Sequence, residues 1–160
     1  MYEHYFKLTE KPFNITPDPK YFYASMRHSE VLDSLVYAVS DKRGFVVITG
    51  EIGSGKTITC RTLIQKLDPG TKVAVITNTF LSNKQLLTNI LEEFEVDYAP
   101  GDKYQLLKQL NDFLIHEYEM ENPVVLIIDE AQNLTKQNLE EVRMLSKLET
   151  EKAKLIQIIL

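Results

Sequence analysis

The sequence predicts a three-layer α/β fold built on a parallel sheet. Four short runs of β-branched and other apolar residues are separated by longer segments whose apolar residues recur at helical spacing. The short runs are apolar throughout rather than alternating, which is typical of strands covered on both faces. Strands and helices in this arrangement favour parallel pairing, with helices packed on the two sides of the sheet.

The chain begins with a segment rich in aromatic residues and proline, residues 1–24. Its prolines at Pro12, Pro17 and Pro19 oppose both a helix and a central strand, so we expect an extended arm. The number of aromatic side chains predicts that this arm packs on the rest of the protein. Residues 25–160 are expected to form the core domain.

Along the core, apolar runs predict strands, and apolar stripes behind capping residues predict helices. The predicted strands are 45–49, 72–77, 124–128 and 155–160. The predicted helices are 26–41, 58–67, 82–94 and 102–120, followed by one that begins after residue 135.

Two helix starts carry specific signals. Ser82 and Gln85 are spaced as a capping box. Thr135 is a candidate cap for the last helix, with Leu134 and Leu139 placed as a hydrophobic staple. The inward stripe of this last helix is predicted to be Leu139, Val142, Leu145 and Leu148.

Composition limits the class of protein. With 160 residues, 44% of them hydrophobic and 26% charged, the chain is expected to form one globular domain. The net charge of −5 argues against a surface dedicated to nucleic acid or anionic lipid, although a local basic patch is not excluded.

No apolar run approaches the roughly 18 residues of a membrane span, so we expect a cytoplasmic location. Attachment to an inner membrane would need segments beyond residue 160.

The residues from Gly50 to Thr57 fit the phosphate-binding loop pattern of glycine, four residues, then Gly-Lys-Thr. The motif follows a predicted strand and opens a predicted helix, which is the context that it requires. Its glycines let consecutive backbone N–H groups point inward, and the helix N-terminus adds about half a positive charge. The residues expected to bind ATP are Gly50, Glu51, Ile52, Gly53, Ser54, Gly55, Lys56, Thr57 and Ile58.

Two residues of this loop have expected roles in chemistry as well as binding. Lys56 is predicted to reach the β- and γ-phosphates, and the Thr57 hydroxyl to hold Mg²⁺.

The strand at 124–128 ends in two adjacent acids, Asp129 and Glu130. Hydrolysis by a positioned water needs one carboxylate near Mg²⁺ and a second that orients or deprotonates the water. The carboxyl edge of a parallel sheet is where ligands bind in open α/β folds. We therefore predict Asp129 as an outer-sphere Mg²⁺ ligand and Glu130 as the catalytic carboxylate.

Asn78 and His28 are each open to two interpretations. Asn78 follows the second strand, and it either hydrogen-bonds Glu130 and holds it away from the water, or is an ordinary turn residue. His28 lies on the helix before the first strand, and it either flanks the base or ribose of the nucleotide or is a surface histidine.

With both nucleotide motifs and the arm, the sequence resembles the AAA-type ATPases of the general secretion pathway protein A (ExeA) family. The matching segments include Lys11-Pro12-Phe13, Thr16-Pro17-Asp18-Pro19, Gly44-Phe45-Val46-Val47 and Ile127-Ile128-Asp129-Glu130-Ala131-Gln132-Asn133-Leu134. The resemblance implies an AAA+ module with sheet order 5-1-4-3-2, and ATP and Mg²⁺ as cofactors. It also implies a homo-oligomer and a protein partner in a secretion or envelope assembly.

The sequence departs from this family in places. Asn78-Thr79 stands where Asn-Pro is expected, and Lys147 where an asparagine is expected. The chain also stops before the polar sensor residue, fifth strand, arginine finger and helical lid that the resemblance implies. We therefore expect the protein to continue beyond Leu160, and this piece alone to be weakly active or inactive. The strand from Phe45 to Ile48 is then expected at an exposed sheet edge, unless the arm or another chain covers it.

Other functions remain open from the sequence. The loop motif and Asp129-Glu130-Ala131-Gln132 also resemble motifs of DEAH-type nucleic-acid helicases, and related ATPases assist transposition. A third alternative is an adaptor that binds ATP without hydrolysing it and recruits a partner.

Overall fold

In the described part of the chain, the sheet has four parallel strands. The computed structural model describes residues 2–9, 19–151 and 153–160. The strands lie in the order β1-β4-β3-β2, and every neighbouring pair is parallel, so the predicted fold class is confirmed. Their bounds are β1 Phe45–Val46, β2 Lys72–Ile76, β3 Val124–Ile128 and β4 Gln157–Ile159.

Two helices of the described part begin at the capping residues that the sequence singles out. Ser82 and Gln85 form the predicted capping box, and the Thr135 hydroxyl accepts from the N–H of Asn138. Among the described residues, no helix is both long and apolar enough to cross a membrane. The helices are α1 Tyr2–Tyr5, α2 Met26–Ser40, α3 Lys56–Lys66, α4 Asn83–Glu93, α5 Lys103–Glu119 and α6 Lys136–Leu145.

Both faces of the sheet are covered, and β3 shows this most clearly. Leu126 and Ile128 belong to a core that β3 forms with α4, α5 and α6. Val125 and Ile127 point to the opposite face, where they pack with α2 and α3. Every residue of β3 is buried, which is why this strand is apolar at each position.

Strands β1 and β4 are shorter than predicted. The β1 ladder ends at Val46, although the N–H of Ile48 still donates to the carbonyl of Leu160 at 2.8 Å. Before β4, which lies between β1 and β3, the N–H of Leu155 donates to the carbonyl of Leu148 instead of joining the sheet, so β4 begins later than predicted. Local turns, which apolar runs do not indicate, set these boundaries.

The predicted inward stripe of α6 is wrong at Leu139, which is 44% exposed. Asn138 and Glu141 are buried on this helix instead, beside Val142 and Leu145. The Asn138 amide donates to the carbonyl of Leu81 at 2.5 Å, and the Glu141 carboxylate pairs with Lys103 Nζ at 2.5 Å. The amide nitrogen of Asn138 and the carboxylate of Glu141 thus have partners, whereas Asn138 Oδ1 is buried and has none in the described part of the protein. These contacts let α6 turn polar positions toward the core.

The described residues of the arm agree only partly with the predicted packing and extended conformation. Of its described aromatic residues, Phe22 packs against the α2–α3 core, but Tyr5, Phe6 and Tyr23 are exposed. The first residues form the single helical turn α1 rather than an extended segment. Residues 10–18, with two of the prolines, lie outside the described residues, and the division between arm and core stays a prediction.

The edge of the sheet at β1 is exposed, as expected. Among the described residues, β1 pairs only with β4. Phe45 is 37% and Val47 56% exposed, so this edge carries apolar side chains in contact with solvent.

Candidate nucleotide-binding site

The phosphate-loop motif forms a tight turn between β1 and α3. Gly53 and Gly55 have φ angles of +80° and +87°, in the left-handed region that favours glycine. The Ser54 N–H donates to the carbonyl of Glu51 at 3.2 Å and closes the turn. A Cβ on Gly50 would lie 2.6 Å from Ser54 Oγ, so a side chain at Gly50 would require the Ser54 hydroxyl to move.

Several N–H groups of this loop are available to a ligand. In the described part of the protein, the N–H groups of Gly53, Gly55, Lys56 and Thr57 donate to no backbone acceptor. Lys56 and Thr57 are in the first turn of α3, where N–H groups have no partner within the helix. A Cβ on Gly53 would meet nothing within 4 Å, so the space beside the loop is open. The donors and the helix N-terminus together suit a phosphate.

The Lys56 ammonium folds back on the loop. Its Nζ donates to the carbonyls of Gly50 at 2.9 Å and Glu51 at 3.0 Å. The positive charge therefore lies beside the same backbone that presents the free N–H groups.

A direct contact joins the loop to the end of β3. Thr57 Oγ1 donates to Asp129 Oδ2 at 2.9 Å. The other carboxylate oxygen, Oδ1, accepts from the N–H of Glu130 at 3.0 Å, and the Asp129 N–H donates to the carbonyl of Ile76 at the end of β2. The structure therefore brings together the two motifs that the sequence singled out, at the carboxyl edge of the sheet.

Glu130 adopts an unusual backbone conformation in this site. Its φ of +56° is left-handed, which costs a residue with a side chain of order 1 kcal/mol or more. Its side chain is exposed, and Oε2 accepts a hydrogen bond from Gln132 Nε2. Strain at an exposed acid beside the loop is typical of a functional site.

The comparison with known proteins agrees with this geometry. A family model described as AAA domain matches residues 39–160. The chain belongs to the AAA domain family.

Two similar proteins extend this assignment. General secretion pathway protein A of Aeromonas hydrophila is 42% identical over 161 residues, and the match covers 100% of this chain and 29% of that protein. The crystal structure of Cdc6p from Pyrobaculum aerophilum superimposes with a TM-score of 0.64 at 18% identity, over 86% of this chain and 40% of that one. The first match confirms the resemblance predicted from the sequence, and the second shows the AAA+ fold.

Within this AAA domain, the structure assigns Asn78 to a turn. Its Oδ1 accepts from the N–H of Phe80 at 3.1 Å, which is the local bond of an ordinary turn asparagine. In the described part of the chain, the amide that contacts Glu130 is that of Gln132, and a contact between Asn78 and this acid stays a prediction. The sequence did contain the signal, because a glutamine two residues after an acid can reach it across a tight turn.

His28 lies against the phosphate loop. Its Nε2 is 3.0 Å from the carbonyl oxygen of Ser54, and its Nδ1 is 2.8 Å from Ser25 Oγ. Both ring nitrogens thus have partners within the protein, and contact with the base or ribose stays a prediction. The contact to Ser54 was missed because the two residues are 26 positions apart, and no spacing rule predicts it.

Cys60 lies behind the loop on α3 and packs with the α2–α3 core. Burial raises the pKa of its thiol to about 11, and the nearby charge of Asp129 adds to this effect. A thiol with so high a pKa is a poor nucleophile at neutral pH, which fits a packing role for this residue.

Proposed function

We propose that this AAA domain binds ATP with Mg²⁺, hydrolyses it, and couples turnover to the remodelling or assembly of a larger complex. The observation that carries the proposal is the 2.9 Å hydrogen bond from Thr57 to Asp129. It puts a hydroxyl of the phosphate loop and a carboxylate of the sheet edge side by side, which is the donor set that Mg²⁺ takes in nucleotide sites.

In this proposal the loop holds the phosphates. The N–H groups from Gly53 to Thr57 donate to phosphate oxygens, with the N-terminus of α3 behind them. Lys56 exchanges the carbonyls of Gly50 and Glu51 for the β- and γ-phosphates. Thr57 and Asp129 hold Mg²⁺, which neutralises charge on the phosphates when it is bound.

Glu130 is the residue that we assign to hydrolysis. A carboxylate at this position can orient a water and accept its proton. The hydrogen bond from Gln132 engages one of its two oxygens, so the acid is restrained until that bond is released. Because Gln132 is exposed, a partner or a neighbouring subunit could compete for its amide.

The proposed role of this domain in a larger complex is based on its similarity to a known protein. Since the similar Aeromonas hydrophila protein is a general secretion pathway protein, we propose secretion or envelope machinery as the target, with a homo-oligomer as the working form. The chain spans 29% of that relative, and partner contacts would extend beyond this domain. Turnover stimulated by DNA or RNA would favour the helicase or transposition alternative instead.

Nucleotide titration tests this proposal. We expect Lys56→Ala to weaken Mg-ATP affinity in calorimetry by about 10- to 100-fold, the range of a lost charge-assisted hydrogen bond. Lys66→Ala, in the last turn of the same helix, is the matched control and should change nothing. Equal affinity of the wild type and Lys56→Ala would refute the site.

A further inference from the structure

We propose that His28 is a positioning residue that sets the direction of one phosphate-binding N–H group. Its imidazole holds the carbonyl of Ser54 and thereby aims the N–H of Gly55 into the loop. The inference rests on the proposed ATP site and assigns a function to the helix that precedes the first strand.

The hydrogen-bond network fixes which ring nitrogen carries the proton. The carbonyl of Ser54 can only accept, so Nε2 of His28 must be the donor at 3.0 Å. In the neutral ring Nδ1 then accepts from the Ser25 hydroxyl at 2.8 Å, while the same hydroxyl accepts the N–H of His28 at 3.4 Å. Every polar group of this small network has a suitable partner.

Peptide geometry carries the effect to Gly55. The bond between Ser54 and Gly55 is trans and planar, so its carbonyl and its N–H point in opposite directions. When His28 fixes the carbonyl on one side of the loop, the N–H of Gly55 must point to the other. That N–H donates to no backbone acceptor in the described protein. It is therefore held ready for a ligand before the ligand arrives.

The histidine is also packed tightly in place. A Cβ on Gly55 would lie 3.1 Å from Nε2 of His28, so the loop lies directly on the ring. On another side, the ring of Phe22 meets the imidazole edge-on with centroids 5.3 Å apart. Phe22 in turn packs with the α2–α3 core. The imidazole thus connects the end of the arm and the start of α2 to the phosphate loop.

Two substitutions at His28 distinguish the contribution of its N–H donor from that of its aromatic ring. His28→Phe keeps an aromatic ring against Phe22 but has no N–H, whereas His28→Gln keeps an N–H donor without the ring. His116→Ala, at an exposed histidine of α5, is the control. Mg-ATP affinity is measured by calorimetry at a temperature where circular dichroism shows each variant folded, and the amide signal of Gly55 is followed by NMR.

We expect His28→Phe to weaken Mg-ATP binding about tenfold and to shift or broaden the Gly55 amide signal. His28→Gln should stay within about threefold of the wild type, and His116→Ala should match it. Wild-type affinity in His28→Phe, or equal losses in His28→Phe and His28→Gln, would overturn the positioning role while the ATP site stands. Failure of the wild type to bind Mg-ATP would overturn both proposals.

Discussion

The hydroxyl of Thr57 donates to the carboxylate of Asp129 at 2.9 Å, although the two residues are 72 positions apart in the sequence. Thr57 ends the phosphate-loop motif in the first turn of α3, and Asp129 follows β3, so the contact forms where two elements meet at the carboxyl edge of the sheet. We propose that this hydroxyl and this carboxylate hold Mg²⁺, so the proposed site requires the contact between the phosphate loop and the end of β3.

Replacing Asp129 should remove the metal dependence of nucleotide binding. In Asp129→Asn, we expect ATP to bind with the same affinity with and without Mg²⁺, because the charged oxygen beside Thr57 is lost. Calorimetric titration in the presence of Mg²⁺ or of a chelator measures this difference. Asp112→Asn, at an exposed acid of α5, should keep the wild-type dependence. A full Mg²⁺ effect in Asp129→Asn would contradict the assignment.

Replacing Glu130 should separate binding from hydrolysis. We expect Glu130→Gln to bind Mg-ATP like the wild type but to hydrolyse it about 10²- to 10⁴-fold more slowly, since the proton acceptor is lost. Single-turnover hydrolysis with protein in excess over ATP gives the rate. An unchanged rate would favour the adaptor that binds ATP without hydrolysing it.

Removing the restraint on Glu130 should have the opposite effect. We expect Gln132→Ala to raise single-turnover hydrolysis about threefold, because a hydrogen bond worth about 1 kcal/mol no longer engages the acid. Gln137→Ala, at an exposed glutamine of α6, is the control. If Asn78→Ala raises the rate and Gln132→Ala does not, Asn78 rather than Gln132 restrains the acid.

Stability measurements test the orientation of α6. Leu145 is fully buried, so Leu145→Ala should lower the free energy of unfolding by about 2–5 kcal/mol. Leu139 is 44% exposed, and Leu139→Ala should cost less than about 1 kcal/mol. Urea titration of both variants provides the comparison. Equal losses would show that Leu139 faces the core, as its spacing alone predicted.

The features that the sequence predicted well depend on local or strongly patterned signals. The apolar run of β3 gave its bounds correctly, since a strand buried on both faces is apolar at every position. The capping box of Ser82 and Gln85 involves residues within one turn and forms as predicted. The loop motif and the acids at 129 and 130 combine a fixed spacing with a position at strand ends, which the fold then brings together.

The features that were missed depend on contacts between distant residues. Asn138 is buried because its amide reaches Leu81, and Glu141 because its carboxylate meets Lys103. The helical spacing of apolar residues in α6 does not indicate either contact, to Leu81 or to Lys103. That spacing favours Leu139 for the core. The contact of His28 with Ser54 has the same origin, since it exists only after α2 packs beside the loop.

The most direct test of the central claim replaces Mg²⁺ by paramagnetic Mn²⁺ and records the amide spectrum with ATP bound. Mn²⁺ broadens the signals of nearby amides. The account predicts that the signals of Gly53 to Thr57, Asp129 and Glu130 disappear, while those of the distant helix α5 persist. Unchanged signals at these residues, with losses elsewhere, would contradict a nucleotide site between the phosphate loop and the end of β3.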